Sequence, residues 1–295
     1  MKSIVISSMV VILFCISELA FAQKEKIDDY YYIVPSESLF FDGYKSIKYE
    51  YQDSAGGLGM MTALRIFKDR KELLFVKDNL YEMFSFCNYL PYIKNDCYAQ
   101  DINKDGHKEI IIEYNTGGGN CCEGAGYLYS LDDTAKLLLE MPPTEASFEI
   151  KDLEDDSIPE IIIYDHKFIG FFDYPFRAFM QRLIWRWDGS KYRIANMRFT
   201  KYYFASSDVD LTSSIENLSD TMTVVVDSMT TQVVPDFLFW DAILDYYFTG
   251  RPAQGDSIFN NYWPSIAPDK EIYHKELKKR IAADPYWPQI LDSNW

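Results

Sequence analysis

The stretch DINKDGHKEIII, residues 101–112, places an oxygen-bearing side chain at every second position and then runs into apolar residues. The expected oxygen donors are the side chains of Asp101, Asn103, Asp105 and Glu109 and the backbone carbonyl of His107. Hard cations such as Ca²⁺ take about six to eight oxygen ligands, which a curling loop supplies from alternate residues. Gly106 permits a turn that a Cβ would disfavour. The stretch therefore predicts a calcium loop that leads into a β-strand.

A second copy of this pattern begins 51 residues later, with the sequence DLEDDSIPEIII at residues 152–163. Its expected oxygen donors are the side chains of Asp152, Glu154, Asp156 and Glu160 and the backbone carbonyl of Ile158. Ser157 stands where the first copy has Gly106. A left-handed conformation costs a residue with a Cβ about 1–2 kcal/mol, so we expect the first loop to bind an ion more tightly.

The two copies do not fit the EF-hand, because position 12 is Ile112 or Ile163 instead of Glu, and the flanks predict strands. They resemble the FG-GAP/VCBS-type repeats, the calcium-loop β units of integrin α-subunit propellers and of many secreted bacterial proteins. The family pattern is Asp-x-Asp/Asn-x-Asp-Gly-x-x-Asp/Glu before an aliphatic strand. The first copy matches it throughout, and the second lacks the Gly. The resemblance covers about residues 95–200. It implies loops that join two strands of a blade and hold calcium in a structural role. The alternative is an acidic, solvated turn without an ion.

The strand pattern predicts a mainly β fold with two blade-like units, over about residues 97–142 and 146–197. The predicted strands are Cys97–Asp101, Glu109–Asn115, Gly126–Leu131, Ala135–Met141, Ser147–Lys151, Glu160–Asp165, Gln181–Trp187 and Lys191–Ala195. The pattern over Tyr30–Val76 also predicts strands, with a hairpin around Lys68–Lys71 and a loop at Gly56, Gly57 and Gly59. It is a candidate third unit. Two or three units are too few for a closed ring, so we expect an incomplete propeller or stacked β-meanders.

The spacing of apolar residues changes after Pro235 and predicts a helical C-terminal segment, residues 236–295. Helices are expected over Asp236–Phe248 and Asp269–Ala283, because apolar residues recur there every three or four positions. We expect these helices to pack on the preceding β domain, residues 23–235. A surface for a partner protein is the alternative.

The first 22 residues have the features of a secretory signal peptide: Lys2, the largely apolar stretch Ile4–Ile16 and the sequence Ala20-Phe21-Ala22. Cleavage after Ala22 predicts a secreted or periplasmic protein. The apolar stretch is too short for a spanning helix, and no later stretch approaches about 18 apolar residues. We therefore expect no membrane span.

The chain is acidic, with 45 Asp and Glu against 29 Lys and Arg and a formal net charge of −16. Binding to nucleic acid depends on clustered basic surface, so this balance argues against a nucleic-acid partner. It fits a protein that gathers carboxylates around cations, and it equally fits simple solubility.

Four cysteines follow the predicted signal peptide and are expected to form disulfides in an exported chain: Cys87, Cys97, Cys121 and Cys122. Adjacent cysteines are poorly placed to bond each other, so we expect the CC pair to bond to the two earlier residues. The spacing does not match paired CxxC motifs, and zinc is not expected.

The sequence contains little that indicates catalysis. The three histidines lie outside HExxH and GxSxG motifs, and Gly117–Gly119 lack the Lys-Ser/Thr of a phosphate-binding loop. We therefore expect a calcium-stabilised binding or structural module with an unknown protein or glycan partner. The alternative is a carbohydrate-active protein, either a lectin or a glycoside hydrolase. Trp185 and Trp187 would serve a lectin if exposed, but their alternation with Arg186 favours a place in the core.

Overall fold

The structure is a computed structural model that describes residues 25–26, 31–41, 43–53, 58–77, 83–86, 101–115, 124–144, 149–165, 168, 181–205, 221–225, 231–235, 237–267 and 269–292. The predicted signal peptide and the four predicted disulfide cysteines lie outside these residues. The chain forms two compact units, the first made of Met1–Gly119 and Glu123–Met141, the second of Asn120–Cys122 and Pro142–Trp295. The fold is mainly β, with antiparallel meanders followed by C-terminal helices, which confirms the predicted class.

The first sheet of the first unit has five strands in sequential order: β1 Glu25–Lys26, β2 Tyr31–Phe41, β3 Tyr44–Asp53, β4 Leu58–Lys68 and β5 Lys71–Lys77. The predicted hairpin is confirmed between β4 and β5. Its two turn residues, Asp69 and Arg70, have φ of 49° and 68°, as a tight hairpin turn with the twist of its strands requires. Gly59 was expected in a loop, but it lies within β4.

The second sheet of the first unit has four strands in sequential order: β6 Met83–Phe86, β7 Lys108–Asn115, β8 Gly124–Leu131 and β9 Ala135–Thr144. Three of the predicted strands are confirmed with small changes at their ends. The remaining predicted strand of this unit is Cys97–Asp101. Only Asp101 lies among the described residues, and its assignment to a strand is wrong, because it belongs to the loop. The strand that pairs with the free edge of β7 is β6, where Phe86 lies across from Ile112.

The core of the first unit forms between these two sheets. Leu64 and Ile66 of β4 pack in one cluster with Ile110 and Ile112 of β7. Full burial of one such aliphatic side chain contributes about 1.5–3 kcal/mol. This packing fixes the start of β7, and with it the loop that precedes β7.

The second unit contains a four-stranded meander and a two-stranded hairpin: β10 Glu149–Lys151, β11 Glu160–Asp165, β12 Gln181–Trp187, β13 Tyr192–Ile194, then β14 Thr221–Val225 and β15 Thr231–Pro235. The four predicted strands of the second blade-like unit are confirmed. The turn between β12 and β13 is held by Asp188, whose Oδ1 accepts the backbone N–H of Lys191 at 2.9 Å. Gly189 takes φ of 95° in that turn.

Five helices occur in the described part of the second unit: α1 Thr200–Ala205, α2 Phe237–Phe248, α3 Pro252–Tyr262, α4 Lys270–Ala282 and α5 Trp287–Leu291. The two predicted helices correspond to α2 and α4. Helix α2 packs against β12, and Asn196 links the two by donating to the carbonyls of Arg182 and Phe248 at 2.9 and 3.0 Å. No helix in the described ranges is long and apolar enough to cross a membrane.

Candidate functional site

The two acidic loops adopt the same backbone turn. In the first loop Lys104 and Gly106 have φ of 61° and 91°, and at the equivalent positions of the second loop Asp155 and Ser157 have φ of 57° and 68°. A left-handed conformation is unfavourable for a residue with a Cβ, so Ser157 carries a strain that Gly106 avoids. The sequence repeat therefore corresponds to a repeat of local structure.

Glu109 is the most buried carboxylate of the first loop and has no exposed surface. Its Oε2 accepts the backbone N–H of Ile102 at 2.7 Å and that of Asn103 at 3.4 Å. Its Oε1 is buried and has no hydrogen-bond partner among the described residues. The pKa of Glu109 is raised to about 7, mainly by burial and also by the negative charges of Asp105 and Asp101, while the hydrogen bonds from the backbone of Ile102 and Asn103 oppose the rise.

The carboxylate of Asp101 is held in a similar way, because only one of its two oxygens accepts a hydrogen bond from the described residues. Its Oδ2 accepts the N–H of Gly106 at 3.2 Å, while its Oδ1 is buried without a hydrogen-bond partner in the part of the chain that the structure describes. Asp105 closes the turn by accepting the N–H of His107 at 2.9 Å. Backbone N–H groups of the loop therefore hold its carboxylates in place. Two buried carboxylate oxygens have no hydrogen-bond partner among the described residues.

The side chain of His107 is directed away from the loop carboxylates. Its ring Nδ1 lies 3.6 Å from Asp132 Oδ2 in the turn between β8 and β9. The ring is half-exposed, and a contribution of the His107 backbone carbonyl to an ion stays a prediction.

The donor set of the first loop fits a hard cation, because it consists of carboxylate, amide and carbonyl oxygens. Within the described ranges no three His, Cys, Asp or Glu side chains already form an assembled metal centre. Calcium tolerates flexible and irregular coordination, so small rotations of side chains could gather the donors. The two unused buried oxygens, Glu109 Oε1 and Asp101 Oδ1, are the observation that favours such a ligand.

The second loop has the same fully buried glutamate, but a guanidinium lies beside it. Glu160 Oε2 accepts the N–H of Leu153 at 2.8 Å, and Glu160 Oε1 accepts a hydrogen bond from Nη1 of Arg186. Arg186 Nη2 donates to Asp156 Oδ2 at 2.5 Å, and Arg186 Nη1 lies 3.3 Å from Glu154 Oε2. Three carboxylates of this loop therefore surround one buried cation of the chain itself.

The strand register explains why the two loops differ at this point. Ile161 pairs with Trp185 across β11 and β12, so the residue before Ile161 faces Arg186. In the first unit, Glu109 of β7 pairs with Ser130 of β8. The position that carries an arginine beside the second loop thus carries a small hydroxyl beside the first.

A second arginine contributes to the second loop. Arg198 donates through Nε and Nη2 to the two oxygens of Glu154, at 2.7 and 2.6 Å. The hydrogen bond from Arg198 lowers the pKa of Glu154, with help from the charge of Arg186. The backbone N–H of Ile158, and then Arg186, lower the pKa of Asp156. These two carboxylates are therefore held in their charged form by contacts within the chain.

Sequence reasoning missed both arginines. The one available signal for Arg186 is the alternation of the strand, which places it on the opposite face from the rings of Trp185 and Trp187. Both tryptophans are buried, at 6% and 9% exposure, as the alternation predicts. Trp185 packs edge-on against Tyr286, so these two rings do not offer a platform for sugars.

The first unit also contains an open groove of about 730 Å³. It is lined by Phe40, Phe41, Gly43, Tyr44, Lys45, Ile47, Phe67, Asp69 and Arg70. Phe40 is 58% exposed, which is unusual for a large aromatic side chain. Among the described residues that line the groove, Asp69 is the sole carboxylate, whereas glycoside hydrolysis generally uses a pair.

Comparison of the chain with models of known protein families, with curated proteins and with solved structures found no match. The resemblance to FG-GAP/VCBS-type repeats therefore remains a prediction. It rests on the spacing of oxygen donors in the two loops.

Proposed function

We propose that the chain is an exported binding or structural module whose first loop, residues 101–109, holds a calcium ion that stabilises the first unit. The observation that supports this proposal most directly is that two buried oxygens, Glu109 Oε1 and Asp101 Oδ1, have no hydrogen-bond partner among the residues that the structure describes. Buried polar groups in native proteins are nearly always satisfied, and exceptions point to a missing ion or water.

The energetics favour a cation over a bare cluster of carboxylates. An unsatisfied buried polar group costs about 1–3 kcal/mol, and a charged group costs more. Without a cation, the raised pKa of Glu109 shows that burial works against its charged form. A divalent ion removes this conflict, because it supplies charge and coordination to both unused oxygens.

The position of the loop favours a structural role for the ion. The loop leads directly into β7, whose Ile110 and Ile112 belong to the core of the first unit. An ion at this position would hold the chain before β7 in the conformation that presents these residues to the core. The groove of the first unit is lined by residues outside the loop.

The predicted compartment agrees with a weak calcium site. Extracellular calcium modules work at about 10⁻⁴–10⁻³ M. With a Kd of about 0.1 mM, about 1 mM calcium would stabilise the fold by about 1.4 kcal/mol. The partner of the module would be a protein or a glycan, and its export rests on the predicted signal peptide.

A thermal melt tests the proposal. Calcium at about 1 mM should raise the Tm of the wild type by a few degrees relative to chelator, since about 1 kcal/mol moves Tm by about 2–4 °C. Asp105→Asn should remove most of this shift. Asp156→Asn is the matched control in the second loop and should leave it intact. A wild type without a calcium-dependent shift would contradict the proposal.

A second candidate function is glycan binding in the groove of the first unit, and the exposed ring of Phe40 is the observation that favours it. Sugars stack on exposed aromatic faces and accept hydrogen bonds from basic side chains such as Arg70, which is also exposed. Phe40→Ala should abolish retention on a panel of immobilised glycans, whereas Leu137→Ala, at another exposed apolar residue, should not. Equal retention of the Phe40 variant and the wild type would exclude this groove.

A further inference from the structure

We propose that Arg186 is the resident cation of the second loop, so that this loop is closed by an ion pair within the chain and does not take up calcium. The inference deepens the proposed function, since it treats both loops as members of one cation-binding type. It replaces the expectation that the second loop holds a second calcium ion.

The two glutamates support this assignment atom by atom. In each loop, Oε2 of the glutamate accepts the N–H of the residue after the first aspartate, at 2.7 Å from Ile102 and at 2.8 Å from Leu153. The other oxygen differs. Glu109 Oε1 has no hydrogen-bond partner in the described part of the chain, whereas Glu160 Oε1 accepts Arg186 Nη1. The guanidinium therefore satisfies the oxygen that the first loop leaves for an ion.

The guanidinium contacts the second loop at more than one point, as an ion would. Arg186 Nη2 donates to Asp156 Oδ2 at 2.5 Å, and Nη1 lies 3.3 Å from Glu154 Oε2. A guanidinium presents its donors in a rigid planar fork, which suits contact with several carboxylates at once. Arg198 binds Glu154 with two further hydrogen bonds and so neutralises the outer part of the loop.

Arg186 is part of the core of its unit and is not a mobile surface residue. Its side chain is 7% exposed, and its guanidinium lies 5.9 Å from the centre of the Phe199 ring. All seven residues of β12, which carries Arg186, are buried. The charge is therefore fixed beside the loop by the packing of the strand, and a calcium ion would have to displace it.

The cross-strand position decides which cation each loop uses. Glu109 pairs with Ser130, which is too small and neutral to close the first loop. An exchange at this position should therefore exchange the behaviour of the loops. Arg186→Ser should open the second loop to calcium, and Ser130→Arg should close the first.

The experiment is a count of bound calcium by equilibrium dialysis on the full chain, with loop variants to locate each ion. The wild type should bind one ion, and Asp156→Asn should not change this number. Arg186→Ser should bind one ion more than the wild type, and adding Asp156→Asn to it should remove the extra ion. Arg186→Lys, which keeps a positive charge, should bind as the wild type does.

A wild type that loses a bound ion through Asp156→Asn would overturn the inference, and so would an Arg186→Ser variant that folds in calcium and binds no extra ion. If Arg186→Ser folds only when calcium is present, the inference is supported. A wild type with no ion and an Arg186→Ser variant with one would refute the proposed role of the first loop while supporting the role of Arg186.

Discussion

Arg186 lies across from Glu160 on neighbouring strands, and its guanidinium donates a hydrogen bond to the buried carboxylate. The equivalent glutamate of the first unit, Glu109, lies across from Ser130 and keeps one carboxylate oxygen without a partner among the described residues. The two loops share the spacing of their acidic residues and their backbone turn, and they differ in the residue at this one cross-strand position.

Removal of the Arg186 guanidinium should strongly destabilise the second unit. Loss of one partner of a buried ion pair leaves an uncompensated charge and costs about 3–5 kcal/mol. Glu160 has no exposed surface, so Arg186→Ala should fall in this range when measured by urea unfolding without calcium. Arg193→Ala is the control, because its exposed pair with Asp188 is worth about 1 kcal/mol or less. If Arg186→Ala and Arg193→Ala lose the same unfolding free energy, the burial of Arg186 has no energetic effect.

The backbone strain of the second loop should be removable. Ser157 has φ of 68°, and Ser157→Gly should stabilise the protein by up to about 1 kcal/mol, because glycine adopts this conformation freely. Gly106→Ala should destabilise by about 1–2 kcal/mol and weaken calcium binding. A Cβ at Gly106 would meet nothing within 4 Å, so the effect would come from the backbone conformation. Chemical denaturation of both variants measures the change in unfolding free energy. A loss of stability in Ser157→Gly would contradict this explanation.

The second unit should lose stability as the pH rises from about 4 to about 7. Burial raises the pKa of Asp245 to about 7, although the guanidinium of Arg182, 3.9 Å away, opposes this. Tyr203 also lies near this carboxyl. The folded state therefore keeps a proton that the unfolded state releases above about pH 4, and stability falls until the folded group ionises.

Asp245→Asn should make the unfolding free energy less dependent on pH between about 4 and 7, because asparagine cannot ionise. Urea unfolding at a series of pH values gives the comparison. Glu276→Gln, at a partly exposed carboxylate of α4, is the control and should keep the wild-type profile. An unchanged slope in the Asp245 variant would show that this residue is charged throughout the range.

The predicted export of the chain implies that it should contain no free thiol. Four cysteines follow the predicted signal peptide, within 36 residues of each other, and an oxidising compartment favours their pairing: Cys87, Cys97, Cys121 and Cys122. Thiol titration of denatured, unreduced protein should therefore give a value near zero. Two or more thiols per chain would refute the disulfide prediction.

The strands and loops could be predicted because their signals are local. Ile110–Ile112 and Ile161–Ile163 are short apolar runs that directly follow acidic loops, and both became buried strands. The pairing of β6 with β7 could not be predicted, because a long stretch of chain separates them. The same is true of Arg186 and Glu160, which lie 26 residues apart. Without a tight hairpin turn between their strands, the sequence does not indicate which residues face each other.

The missed helix α3 has a physical reason. Its sequence contains Gly255, which lowers helix propensity, and few apolar residues mark a buried face. In the structure Gly255 allows close approach to α2, since a Cβ there would lie 2.7 Å from the ring of Tyr247. Pro252 at the first turn was the one available signal for the start of this helix.

In the proposed function, the first loop binds calcium through the buried carboxylate of Glu109. Isothermal titration calorimetry with calcium tests it on the wild type, Glu109→Gln and Glu160→Gln. Glutamine can still accept the N–H of Ile102, so the loop should keep its shape while it loses the charge. We predict one site with a Kd of about 0.1–1 mM in the wild type, its loss in Glu109→Gln and its retention in Glu160→Gln. Calcium binding that survives Glu109→Gln, or no binding by the wild type, would contradict the account.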